Sequence, residues 1–210
     1  MWCPSLVRFI LAAAGAALVA SPALAAQGAG PDWPCIQRKV PELSLGQFWT
    51  GANLPPTAAD WSKDAGISAL VTELSARRLP LPEAQQKIRE YAESLPEDER
   101  EQRLTMLVQG LFDQMNRERS DVIAGIARYA KRQRDIAEVL RQEASAVDAL
   151  RAKADADPNE IALRSDRLAF QTRVFQERAR SLSFVCEVPT LIERRLYALV
   201  KTIAEALRAR

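Results

Sequence analysis

Between residues 97 and 154 the chain carries an apolar stripe without a single proline, and few structures other than a very long helix accept such a stretch. Leu104, Val108, Leu111, Met115, Val122, Ile126, Tyr129, Ile136, Leu140, Val147 and Leu150 recur in steps of three, four and seven. That spacing keeps one face of a helix apolar. The pattern stops at Asp155-Ala156-Asp157-Pro158 and resumes with Ile161, Leu168, Phe175 and Leu182, seven residues apart. A repeat of seven makes a coiled-coil-like seam, so residues 158–186 are expected to return along the first arm as an antiparallel hairpin. With equal rise on both arms, facing residue numbers sum to about 313. Cys186 is then expected opposite Ala127, beside the small residues Ala124 and Gly125.

The other elements are read from their ends. Thr57-Ala58-Ala59-Asp60 places a hydroxyl and an acid at capping-box spacing, predicting a helix over 57–77 that buries Trp61, Ile67, Leu70, Val71 and Leu74. Pro82 suits a first helical turn, and Ala84, Ile88, Tyr91 and Leu95 give the next stripe, over 82–94. Ser94-Leu95-Pro96-Glu97 reads as a box opening the long helix, over 97–154, and Asp157-Pro158-Asn159-Glu160 as another at the hairpin tip. Pro189 is expected to break or kink the second arm, with Thr190-Leu191-Ile192-Glu193 restarting it over 190–208. The fold class predicted is all-α: a long antiparallel hairpin, a helical-bundle base, and a tip arm from about Leu140 to Phe170 that projects as two bare helices.

Residues 26–56 have no helical period and five prolines, yet they embed Trp33, Ile36, Val40, Leu43, Leu45, Phe48 and Trp49. Large apolar groups in that number gain by lying against a surface. The segment is therefore expected to be an ordered irregular arm strapped along the bundle, with a short helical turn at 43–49, leaving 57–210 as a single all-α domain.

Residues 1–25 read as an address. Arg8 is the positive n-region, residues 9–20 are apolar, and Ala23-Leu24-Ala25 fits the small-x-small rule for cleavage near Ala25. The expected product is periplasmic or secreted. With Cys3 removed, Cys35 and Cys186 remain, and in an oxidising compartment such a pair is expected to form a disulfide.

The chemistry is bounded mainly by what is missing. The chain has no His, which removes Ser-His-Asp and Cys-His nucleophiles, His-ligated zinc and His-held haem. There is no C-x-x-C pair and no glycine-rich phosphate loop. Carboxylates such as Glu97, Asp98, Glu99, Glu101, Asp113 and Glu118 fall on polar helix faces; Glu187 and Glu193 stand apart in flanking Pro189 near the expected disulfide, and Glu193 is better explained as a capping acid. No catalytic residue, metal ligand or cofactor is therefore assigned. A net charge of +2 gives no pull toward nucleic acid.

Two local features carry the functional expectations. Arg128, Lys131, Arg132 and Arg134 crowd one stretch, with Arg178 and Arg180 in the facing stretch and Arg38 and Lys39 following Cys35. Together they form a candidate anion-binding belt, with Asp135, Glu177 and Glu187 nearby as neutralising groups. Trp33, Phe48 and Trp49 are either an aromatic contact surface or, more in keeping with an ordered arm, pins that hold it down. The function expected is an exported interaction or scaffold protein without enzymatic activity. Its expected partner is another exported or envelope protein, and the belt adds peripheral contact with an anionic membrane surface. The alternative is a helical-bundle small-ligand binder or enzyme with an Arg/Lys anion site. Chorismate-mutase-like chemistry is the example, since it needs electrostatic preorganisation and no proton transfer.

Overall fold

The computed structural model describes residues 33–209 of the 210-residue chain. The expected leader and its cleavage site lie outside these residues, as does the start of the arm. The described chain is all-α, with four α-helices and two 3-10 helices, and no strand occurs among the described residues. The helices are α1 (Ala65–Ser75), α2 (Leu81–Ser94), α3 (Glu97–Arg151) and α4 (Pro158–Arg208), and the 3-10 helices are Leu45–Gln47 and Pro56–Lys63.

Helix α3 runs for 55 residues and α4 for 51, each close to 80 Å long at about 1.5 Å per residue. They form the antiparallel hairpin. Glu97, Asp98 and Glu99 occupy the first turn of α3, where the helix dipole favours negative charge. At the tip, Asp157 accepts from the Asn159 N–H at 2.8 Å, with Pro158 in the first turn.

At the base, Leu104, Leu107, Leu111 and Met115 of α3 meet Ile192, Leu196, Leu199 and Ile203 of α4. Ile67, Val71 and Leu74 of α1 and Ala84 and Ile88 of α2 close the cluster, all fully buried. Each such Leu or Ile contributes about 1.5–3 kcal/mol on burial, so stability is concentrated here. Gly110 makes this packing close. A Cβ built on it would lie 2.6 Å from Val71 Cγ2 and 2.9 Å from the Trp61 indole, so α1 and the preceding turn rest directly on the α3 backbone.

Four sequence expectations need correction. The helix predicted from Thr57 begins at Ala65, with residues 56–63 forming a 3-10 helix instead. The cap that works is Asp64, whose Oδ1 accepts from the Ile67 N–H at 2.9 Å. The helix also ends at Ser75, short of Arg77 and Arg78. The cation at its C-terminus comes from α4: Arg195 Nε and Nη2 both donate to the Leu74 carbonyl, at 3.0 and 2.8 Å. Ser94 does not cap α3, because its hydroxyl turns back to donate to the Tyr91 carbonyl at 2.7 Å.

The fourth correction concerns Pro189. Helix α4 continues through it without interruption, and Pro189 is buried. The ring removes one i→i−4 hydrogen bond, a cost of about 3 kcal/mol in a helix interior. The apolar stripe of α4 on both sides of it outweighs that cost, since tertiary packing supplies most helix stability.

Contacts across the hairpin fall on both sides of the expected register. Tyr129 Oη donates to the Arg178 carbonyl at 3.4 Å, and Arg164 Nε to Glu143 Oε1 at 3.0 Å. The residue numbers in both pairs sum to 307, whereas Arg151 with Ser165 gives 316 and Arg119 with Glu193 gives 312, so the expected 313 falls within the spread. Cys186 and Ile123 line one cleft.

Candidate functional site

Cys35 and Cys186 form a disulfide, with Sγ atoms 2.02 Å apart and Cα atoms at 5.5 Å. The cross-link spans 151 residues, worth about 5 kcal/mol on the chain-entropy model. From Cys35 the arm descends along α3 and is held by three of its side chains. Arg119 Nη1 donates to the Val40 carbonyl at 2.6 Å, Ser120 Oγ to the Pro41 carbonyl at 2.7 Å, and Asn116 Oδ1 accepts from the Leu43 N–H at 3.0 Å. Steps of three and one along α3 put all three on one side of the helix. Sequence reading missed them, because isolated polar residues on a long helix look like solvated surface.

A cleft of about 450 Å³ opens beneath the disulfide, lined by residues that include Trp33, Arg38, Val40, Phe48, Arg119, Ile123, Cys186 and Glu193. Arg119 is only 3% exposed, and its Nε donates to Glu193 Oε1 at 2.6 Å. With Nε and Nη1 both engaged, this arginine ties α3, α4 and the arm together. The other buried arginine, Arg195, spends its fork on Leu74, and burial lowers its pKa from the ordinary arginine value. The two buried guanidinium groups thus have separate internal acceptors and do not converge on one cavity.

The aromatic candidates divide. Phe48 packs on Phe112 with ring centroids 6.4 Å apart, and both Phe48 and Trp49 lie against the core. Trp49 Nε1 donates to the Ala52 carbonyl at 2.7 Å. Gly51 lets this loop close over the indole, since a Cβ there would sit 2.4 Å from the ring. Trp33 stays at the lip of the cleft, bonded to the Gln37 carbonyl.

Arg128, Lys131, Arg132, Arg178 and Arg180 are all exposed on the hairpin. Lys131 pairs with Asp135 at 3.0 Å. Arg178 lies level with Tyr129 through its carbonyl, so the cations of the two helices do share one stretch of the arm. Arg38 and Lys39 are exposed as well, but Arg38 sits at the disulfide cleft. That cleft is roughly 8–12 Å nearer the base than Arg128 and Arg178, at 1.5 Å per residue.

Beyond Ile126 the hairpin has little core of its own. Only Ala130, Gln133 and Val147 of α3 are buried, and no α4 residue before Cys186 is. Val139 is 61% exposed, Leu163 64%, Phe170 57% and Phe184 74%. Between the two helices runs a groove of about 200 Å³, lined by Gln133, Ile136, Val139, Leu140, Phe170, Gln171, Val174, Phe175 and Arg178. The Arg173 guanidinium lies 5.6 Å from the centroid of the Phe170 ring, within reach of a cation–π attraction.

Among the described residues, no group of three or more His, Cys, Asp or Glu is placed to hold a metal ion, and no helix is long and apolar enough to cross a membrane. Comparison with protein-family models, curated proteins and solved structures found no match for this chain.

Proposed function

We propose that this chain is an exported, non-enzymatic interaction module, in which a disulfide-strapped bundle presents a two-helix arm to a partner protein of the same compartment. The observation that carries this reading is the arm itself. Val139, Leu163, Phe170 and Phe184 are exposed among the described residues, along the two helices of the hairpin. Single exposed apolar residues are ordinary on protein surfaces, whereas several along one projecting element favour a contact face. The disulfide is compatible with an oxidising compartment, which fits the expected leader. The separate internal acceptors of Arg119 and Arg195 weigh against an arginine clamp for a small anion.

A photo-cross-linking residue in cells tests the reading. Placed at Phe170 it is expected to give discrete adducts, whereas at Tyr197, an equally exposed single residue on the base, it is expected to give none. Equal adducts from both positions, or none from Phe170, would overturn the arm as the contact face. Thiol trapping in intact cells tests export. Cys35 and Cys186 are expected to resist alkylation until a reductant is added, and two reactive thiols would sink the assignment.

A further inference from the structure

We infer that the arm groove receives an acidic amphipathic helix of the partner protein, a deepening that rests on the interaction reading above. The groove has the form such a helix needs. Ile136 and Val139 of α3 and Phe170 and Val174 of α4 line it, at the steps of three and four that keep residues on one helical side. An apolar channel between two antiparallel helices accepts the ridge of a third. In its floor Gln133 is only 8% exposed, and its Oε1 finds no hydrogen-bond donor among the described residues. Buried polar atoms are seldom left so, and this one weakens the seam between the two helices.

Charge identifies the occupant. Arg178 lines the groove, Arg173 lies against its Phe170, and Arg132 precedes Ile136 by one helical turn; none of the three makes an ion pair among the described residues. Of the carboxylates on this stretch, Asp135 pairs with Lys131, Glu138 with Arg141 and Glu143 with Arg164. The rim is therefore basic, and carboxylates along the flanks of an incoming helix would meet it. A second copy of this chain fits poorly, because isologous pairing sets one arginine rim against the other. An anionic bilayer takes a protruding apolar face, whereas these side chains border a concavity.

The test uses the exported protein with its disulfide intact and a synthetic helix of about 18 residues, five turns, bearing a leucine stripe and Glu flanks. Its Lys-flanked counterpart is the control, and binding is read by fluorescence anisotropy. The Glu-flanked helix is expected to bind at least about tenfold more tightly, and salt is expected to weaken it. The double reversal Arg132→Glu, Arg178→Glu is expected to remove that preference, and Phe170→Ser to weaken binding of both helices, with melting curves confirming that these surface changes leave the fold intact. Equal binding of the two helices, or binding indifferent to the reversals, would overturn the inference. So would binding to phosphatidylglycerol vesicles without peptide binding, or self-association that excludes the peptide. Adducts from Phe170 in cells together with no Glu-helix binding would remove the acidic helix and leave the arm as contact face; failure of both would remove both.

Discussion

Arg119 and Glu193 face each other across the hairpin with Nε and Oε1 2.6 Å apart, although 74 residues separate them in the chain. Arg119 is buried, Glu193 is about one-third exposed, and the second arm of the guanidinium holds the Val40 carbonyl. The pair therefore couples the closing of the hairpin to the docking of the arm. Removing the arginine leaves two acceptors without their donor.

Arg119→Ala is accordingly expected to cost about 2–3 kcal/mol, the range for hydrogen bonds to a charged group, and to open the arm near Val40 to protease. Glu193→Gln is expected to cost less, because an amide oxygen still accepts from Nε. Urea denaturation with limited proteolysis checks both. Equal, small losses would mean that the arm docks through its apolar residues alone.

The two glycines of α3 give opposite expectations for one substitution. Gly110→Ala is expected to destabilise by about 1–3 kcal/mol through overpacking, since its Cβ would press on Val71 and Trp61. Gly125→Ala meets only Arg128 Nη2 at 3.9 Å and is expected to stabilise by about 0.5–1 kcal/mol through helix propensity. Chemical denaturation of both variants settles the signs. A neutral Gly110→Ala would show that the 3-10 helix yields easily.

These glycines also show what the sequence reveals and what it hides. The hairpin was legible because its signals are local: a long stripe without proline, then Asp157-Pro158 to turn the chain. The disulfide was legible once the expected leader set Cys3 aside. Gly110 and Gly125 look alike on paper, and only the approach of Val71 and Trp61 separates them. Pro189 misleads for a related reason. Its local penalty is readable, while the packing that overrides it lies on other elements. Asp64 was hidden by the stronger-looking box at Thr57. Asn116, Arg119 and Ser120 act on backbone more than seventy residues away, a distance that no pattern of spacing reports.

The Asp64 cap makes part of the stability pH-dependent. Its pKa is lowered from the ordinary carboxylate value by the Ile67 N–H, against some desolvation, and further by the adjoining Arg103 guanidinium. A group depressed in this way adds stability that is complete above its unfolded pKa, about 3.9. The contribution is lost as pH falls through the folded value. Asn caps nearly as well as Asp, so Asp64→Asn isolates the charge. The variant is expected to melt slightly below the parent protein at pH 5–7, by less than about 1 kcal/mol for a partly exposed pair. The gap should close below about pH 4. A gap unchanged at pH 3 would assign the loss to geometry instead of charge.

The arm is expected to open without the base. Val147 is 1% exposed, the only buried hydrophobic residue of either helix between Ala130 and Cys186. One turn earlier on α3, Glu143 pairs with Arg164 of α4 at 3.0 Å. An aspartate in place of Val147 puts an unpaired charge where the arm has its deepest apolar contact, and little else there resists separation of the helices. The main core draws on residues 58–115 and 192–203 and touches none of this. Val147→Asp is therefore expected to raise hydrogen exchange at least tenfold over residues 137–172, while amides around Leu107 and Leu199 keep their protection and the main melting transition stays within about 2 °C, in line with local opening far below the global stability. Leu150→Asp, at a half-buried position nearer the tip, is expected to do the same more weakly. Loss of protection throughout, in a single transition, would show that arm and base fold as one unit.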